Sequence, residues 1–236
     1  MTETNCKNCD GPLLPGQEFC PHCGQSAHVH RLDMGHIFHE LIHVATHADK
    51  GVFHLTKELA LRPGLVAKAY VAGSRKKYFN PFSYFVLTVA VSAFLTAKFQ
   101  LLQSDTTHAN PVSALIGKNI NLVFFVAAPL SALFTWALFW RSRYNYAENL
   151  TLHAFLGGFR VMFFMLVFTP LIVFFRPYYF SMLTVYLVLW AAFTTWANYQ
   201  FFGGRLWLVA LKTVLSLMLT QVVITFGIIL FVRFFM

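Results

Sequence analysis

Beyond residue 81 the chain is almost entirely apolar, and short polar clusters divide it into about five stretches long enough to cross a bilayer as helices. These stretches fall near residues 82–102, 120–140, 152–175, 178–198 and 206–232. Polar segments at 104–118 and 141–149 read as connections. Pro170 is expected to kink the far end of the third stretch. The Arg176-Pro177 break is short, so the third and fourth stretches either both cross or form one re-entrant unit. Ahead of residue 82 the pattern becomes amphipathic. Asp33 is a candidate N-cap for a helix from Met34 that ends near Asp49-Lys50-Gly51 or bends there and continues to Leu61. Arg62-Pro63-Gly64 ends that helix, and a second amphipathic one is predicted from Pro63 to Gly73.

Composition agrees with burial in hydrocarbon: 57% of the 236 residues are hydrophobic and only 11% are charged, against about 25% charged in an average soluble domain. Of nine acidic residues, only Asp105 and Glu148 lie beyond residue 60, which makes the amino end the wet part. A net charge of +9 is a feature of nucleic-acid binders, but here Lys and Arg lie beside apolar stretches and form no single basic face. Topology and anionic lipid explain them better, and nucleic acid is not expected as a partner. With the amino end cytosolic, only Lys98, Lys118, Arg176 and Arg233 fall on the outer side, as the positive-inside rule requires. Five spans then place the carboxyl end outside. The first 30 residues contain no apolar core of a signal peptide.

Those residues hold all four cysteines, as Cys6-x2-Cys9 and Cys20-x2-Cys23. Two such hooks let four thiolates close a tetrahedral shell, the pattern of a structural zinc ribbon, with Gly11 and Gly24 permitting the turns. The alternative, two disulfides, needs an oxidising compartment. Leu13, Leu14 and Phe19 are the bulky groups of this head, too few for a self-sufficient core, so chelation is expected to unfold it.

His28, His30, His36, His39, His43 and His47 crowd one short stretch, with His54 just beyond. On a helix His36, His39, Glu40, His43, His47 and Lys50 share one face, opposite Ile37, Phe38, Leu41, Val44 and Ala48. Three readings follow. The helix lies in the headgroup layer with imidazoles as its polar side, or His36, His39, His43 and His47 hold a second divalent metal. In the third, His39-Glu40-x2-His43 is an H-E-x-x-H hydrolase motif with Glu40 as general base and Glu148 or His153 as remote third ligand.

Arg62, Arg75, Lys76 and Lys77 flank the first span and are candidate contacts for anionic headgroups of the bilayer, each worth about 1 kcal/mol. Tyr70, Tyr78 and Trp140 suit an interfacial aromatic belt. Glu148 is expected to pair with Arg141, Arg143 or a stripe histidine, or to stay in water. Arg160 is expected to pair or to snorkel.

Taken in order, the two hooks with Phe19 to Gln25, His39-x3-His43-x3-His47-Ala48-Asp49-Lys50-Gly51, Leu61-Arg62-Pro63-Gly64 and Tyr70-x2-Gly73-x-Arg75-Lys76-Lys77-Tyr78-Phe79-Asn80-Pro81 resemble bacterial multi-pass membrane proteins of domain-of-unknown-function family 3667. Tyr144-Asn145-Tyr146-Ala147-Glu148-Asn149-Leu150 resembles a second motif of the same family. The resemblance implies a bacterial inner-membrane protein with a cytosolic zinc ribbon and implies no activity. The expected fold is therefore an all-α membrane protein. It has a zinc ribbon at 1–27, His-rich and basic interfacial helices at 28–81, and a bundle of about five transmembrane helices at 82–236. The expected role is a non-enzymatic scaffold, sensor or transport-associated component, with a cytosolic protein docking on the ribbon as a candidate partner. A membrane-embedded metallohydrolase is the alternative. No chain of carboxylates resembling a proton relay supports a transporter.

Overall fold

The computed structural model describes residues 4–14, 16–35, 37, 51–99 and 119–235. Strands β1 (Thr4–Asn5) and β2 (Pro12–Leu13) pair antiparallel, Thr4 opposite Leu13 and Asn5 opposite Pro12. Two short helices follow, α1 (Gly51–Leu61) and α2 (Pro63–Ala72). Long helices come next: α3 (Pro81–Phe99), α4 (Ile120–Leu138) and α5 (Tyr146–Phe163). The last are α6 (Thr169–Phe174), α7 (Tyr179–Phe202) and α8 (Leu206–Phe235). Five helical segments are long and apolar enough to cross a membrane: Pro81–Lys98, Ile120–Leu138, Tyr146–Leu171, Tyr179–Phe202 and Leu206–Phe234. The first and third have 39% of their apolar window buried inside the protein, the last two only 17%. Accordingly α3 and α5 form the centre, and α7 and α8 present wide apolar faces outward.

Helix boundaries follow local chemistry. Pro63 stands at the first turn of α2, where its missing N–H costs nothing, and Arg62, at φ −155°, breaks the run between α1 and α2. The free N–H groups of Gly64 and Leu65 donate to Gln200 Oε1 on α7, at 2.9 and 3.3 Å. A Cβ on Gly64 would stand 2.0 Å from the Ala197 carbonyl oxygen. Glycine thus lets α2 pack directly against the α7 backbone. At the other end Gly73, at φ +120°, turns the chain while its N–H bonds Tyr70 O.

The third membrane-length segment begins at Tyr146, earlier than the polar residues Glu148, Asn149 and Thr151 suggest. Asn145 and Glu148 form a reciprocal capping box: Glu148 N–H donates to Asn145 Oδ1 at 2.9 Å, and Asn145 N–H to Glu148 Oε2 at 2.7 Å. Those polar residues are the first turns of α5. Pro170 stands near the far end of this segment, in the first turn of α6. It follows a π-helical turn at Phe164–Phe168, where both the N–H and the hydroxyl of Thr169 bond Phe164 O.

Two aromatic expectations change. Tyr70 and Tyr78 are core residues and not a belt: Tyr70 packs edge-on against Phe155 of α5, with ring centroids 5.5 Å apart, in a cluster with Leu32, Leu55, Leu59 and Phe201. Trp140 is exposed. Nor does Arg160 snorkel: its Nε donates to Tyr186 OH at 2.9 Å, and its guanidinium lies 5.0 Å from the ring centroids of both Phe124 and Trp190. An aromatic cage of α4 and α7 residues replaces water around the cation.

Candidate metal centre and its docking surface

Each cysteine hook is built by the same two backbone bonds. In the first, Cys6 N–H donates to Gly11 O and Asp10 N–H to Cys6 O; in the second, Cys20 N–H donates to Gln25 O and Gly24 N–H to Cys20 O. All four lie between 2.8 and 2.9 Å. The fifth residue of each hook is left-handed, Asp10 at φ 57° and Gly24 at φ 68°. Asp10, not Gly11, therefore takes the special conformation of the first hook, as Asp tolerates better than most residues. Gly11 is needed for space, since a Cβ there would lie 2.9 Å from His22 Cδ2 and 3.4 Å from Cys9 Sγ.

The hooks bring four free thiols together, with Cys6 Sγ 3.6 Å from Cys23 Sγ and Cys9 Sγ 3.6 Å from Cys20 Sγ. All four sulfurs lie within 4.8 Å of one another. A disulfide needs about 2.05 Å, whereas four sulfurs at about 2.3 Å from one tetrahedral ion stand about 3.8 Å apart. The spacing fits a shared cation. The Gln25 backbone N–H pulls the Cys23 thiol down to about 6, against some burial and with help from Asn8 and the neighbouring sulfurs. Gly11 N–H pulls Cys9 the same way, but desolvation and the other three sulfurs leave it pushed up to about 12. Four thiolates this close repel one another, and a divalent cation removes that cost. Among the described hydrophobic residues of the head, Leu13, Cys6 and Cys20 are the buried ones, while Leu14 and Phe19 are exposed. The head has even less core of its own than the sequence suggests.

The ribbon is packed against the helices and is not a free head. Gln25, only 4% exposed, binds the turn between α2 and α3. Its Nε2 donates to Gly73 O at 2.7 Å, and its Oε1 accepts from the N–H groups of Arg75 and Lys76 at 3.0 and 3.2 Å. Ser74 Oγ donates to Lys7 O at 2.8 Å, and Lys77 N–H to Asn8 Oδ1 at 3.1 Å. Five hydrogen bonds thus hold the two hooks against residues 73–77.

The next segment continues the docking. Arg31 forms a bidentate pair with Glu148, Nε to Oε1 at 2.7 Å and Nη2 to Oε2 at 2.8 Å, and Nη2 also donates to Arg143 O. The Glu148 hydrogen bond and charge hold the Arg31 guanidinium above its ordinary range. Asn145 Nδ2 donates to Leu32 O at 2.9 Å. Glu148 therefore pairs with Arg31, and not with Arg141 or Arg143, because the chain after the ribbon lies across the start of α5.

The candidate headgroup contacts divide. Arg62 pairs with Glu58 one turn back, at 2.5 Å, and Arg75 Nη2 donates to His30 O at 2.6 Å. Lys76 and Lys77 are exposed, with Lys77 Nζ 5.5 Å from the Tyr78 ring centroid. Of the histidine stripe, His36, His39, His43 and His47 lie outside the described residues, as does Glu40. His153, the remote ligand candidate, is buried in α5 and shares a 3.0 Å hydrogen bond with Thr135 Oγ1 of α4. Among the described residues, Cys6, Cys9, Cys20 and Cys23 are the group placed to hold a metal ion.

Fold and site together define a helical protein with five membrane-length helices and a four-cysteine ribbon docked beside the first of them. A family model described as a protein of unknown function (DUF3667) matches residues 49–93, from just before α1 into α3. No curated protein and no solved structure matches the chain. The matched stretch contains Pro63, Gly64, Gly73 and residues 75–77, but neither cysteine hook.

Proposed function

We propose that this is a bacterial inner-membrane protein that crosses the bilayer five times, with its amino end cytosolic. It is a non-enzymatic scaffold, sensor or transport-associated component whose ribbon, closed by structural Zn2+, braces the cytosolic face of the bundle. The observation that carries this reading is Gln25: one buried amide joins the second hook to three backbone groups in the turn that leads into the first span. A ribbon serving only to capture a soluble partner has no need of that contact. Four sulfur donors in a closed shell leave no open coordination position for substrate, which suits a structural ion. The reducing cytosol that keeps thiols free is the side on which Arg31, Arg62, Lys68 and residues 75–77 also fall.

The test combines metal counting with topology. Purified full-length protein is expected to hold one Zn2+ that is lost when Cys6 and Cys9 are changed to Ser. Cys6 in intact cells is expected to resist an impermeant thiol reagent and to react after permeabilisation and chelation. Labelling of Cys6 from outside, or metal content unchanged in the Cys6→Ser, Cys9→Ser variant, overturns the reading.

A further inference from the structure

A cavity of about 720 Å3 opens where the ribbon, α2, the α4–α5 connection and the end of α7 meet. Its walls carry Lys7, Arg31, Lys68, Arg141 and Arg143 against a single carboxylate, Glu148. That carboxylate is already engaged: Oε1 takes Arg31 Nε, and Oε2 takes Arg31 Nη2 and the Asn145 N–H. Among the described residues no ion pair involves Lys7, Lys68, Arg141 or Arg143. Gathering like charges in one concavity costs free energy that an anion recovers, and a cleft lined by one sign of charge concentrates such anions.

The other walls narrow the ligand class. Tyr144 and Phe201 pack with ring centroids 4.2 Å apart, and Phe202 stacks on Phe139 at the same distance, giving the cavity an aromatic side. Ser142 lies beside the two arginines in the lining, its hydroxyl enclosed and without a partner among the described residues. Arg143 is presented from fixed backbone, because its carbonyl is held by Arg31. Two arginines and a lysine in one lining, Arg141 also lying 5.1 Å from the Trp140 ring centroid, suit a tetrahedral oxyanion. The space lies within the about 300–1,000 Å3 of small-molecule sites. It also sits at the end of the bundle where α3 and α5 begin and α4 and α7 finish, the depth of lipid headgroups if these helices cross a bilayer.

We infer that this cavity binds the phosphate group of a small organophosphate, either an anionic phospholipid headgroup or a soluble phosphate ester. The inference goes beyond the bracing role. Only Lys7 comes from the ribbon, so loss of the zinc reading leaves the basic wall of α2 and the α4–α5 connection to be tested alone.

The test uses full-length protein in nanodiscs of phosphatidylcholine, with equal parts phosphatidylglycerol in one arm and glycerol 3-phosphate in solution in the other. Bound phosphatidylglycerol is read by native mass spectrometry and glycerol 3-phosphate by calorimetry. Arg141→Gln with Arg143→Gln is expected to weaken binding by about tenfold or more, and Lys68→Gln alone to weaken it in the same direction. Lys98→Gln with Arg233→Gln removes the same charge at the opposite end of the bundle, away from the cavity, and is expected to change binding by less than about twofold. Loss in the lipid arm names a headgroup site, and loss in the soluble arm a phosphate-ester site. Binding of neither probe, equal loss in the two double variants, or no loss in Lys68→Gln and the arginine variant overturns the inference.

Discussion

Replacing Gln25 by Leu separates docking of the ribbon from folding of the ribbon. The change keeps side-chain volume, leaves the four cysteines untouched and preserves the backbone carbonyl of residue 25 that closes the second hook. What it removes is one donor to Gly73 O and the shared acceptor for the Arg75 and Lys76 N–H groups. Each exchange of a protein hydrogen bond for water costs about 1 kcal/mol net, and a group left buried without a partner costs about 1–3 kcal/mol. Part of the turn is open to solvent, since Lys76 is exposed, so water recovers some of this and a net loss of about 2 kcal/mol is expected. That is about a 30-fold increase in local opening. Amide exchange by mass spectrometry, read on peptides covering residues 73–77, measures it directly, because the lost acceptor serves two of those very amides, Arg75 and Lys76 N–H. Metal content should match that of the unsubstituted protein. Unchanged exchange at 73–77 with metal retained would refute the claim that Gln25 holds the ribbon to the turn between α2 and α3.

Three further expectations follow from the same geometry. Removing the metal with a chelator should raise exchange at residues 73–77 as well as in the ribbon, since Lys7, Asn8 and Gln25 dock only while the hooks are closed; protection surviving chelation would contradict this. Gly64→Ala should lower stability by about 3 kcal/mol or more, because its Cβ meets the Ala197 carbonyl at 2.0 Å, whereas Gly51→Ala, with Phe79 at 3.8 Å, should be tolerated. Thermal unfolding in detergent distinguishes them, and equal midpoints would be inconsistent with the close packing of α2 on α7. Glu148→Gln keeps one oxygen for the capping box but turns an NH2 towards Arg31 Nε, so it loses the charge attraction and one hydrogen bond to an Arg31 side chain that is 60% exposed, for about 1–2 kcal/mol. Glu148→Ala also strands the Asn145 N–H and should cost about 2–3 kcal/mol; if the two variants melt alike, the cap is not what fixes the start of α5.

The membrane-length helices and the four-sulfur cluster were legible because each is a local signal: about 20 apolar residues in a row, or cysteines at fixed spacing. Contacts between distant parts were not. Gln25 sits among small and polar residues and has the composition of a linker, so nothing nearby marks it as buried. Arg31 and Glu148 are 117 positions apart, and the closer arginines at 141 and 143 were the natural guesses. The start of α5 was misplaced because Glu148, Asn149 and Thr151 look like loop until the chain around Leu32 covers them. Tyr70 and Tyr78 have the right composition for an interface, but packing of α2 across α5 and α7 turns them into core. The reason for Gly64 in Leu61-Arg62-Pro63-Gly64 lies on another helix altogether.

Synthesis order gives the Arg31 to Glu148 contact a temporal meaning. A ribosome working from the amino end has made both partners of the Gln25 clasp before the first apolar helix is complete, because residues 73–76 precede α3. The guanidinium of Arg31, in contrast, has no carboxylate to grip until two hydrophobic segments have been made and the third has started. The partners of the two contacts therefore become available at two stages of synthesis, those of the clasp early and that of the Arg31 pair only with the third segment.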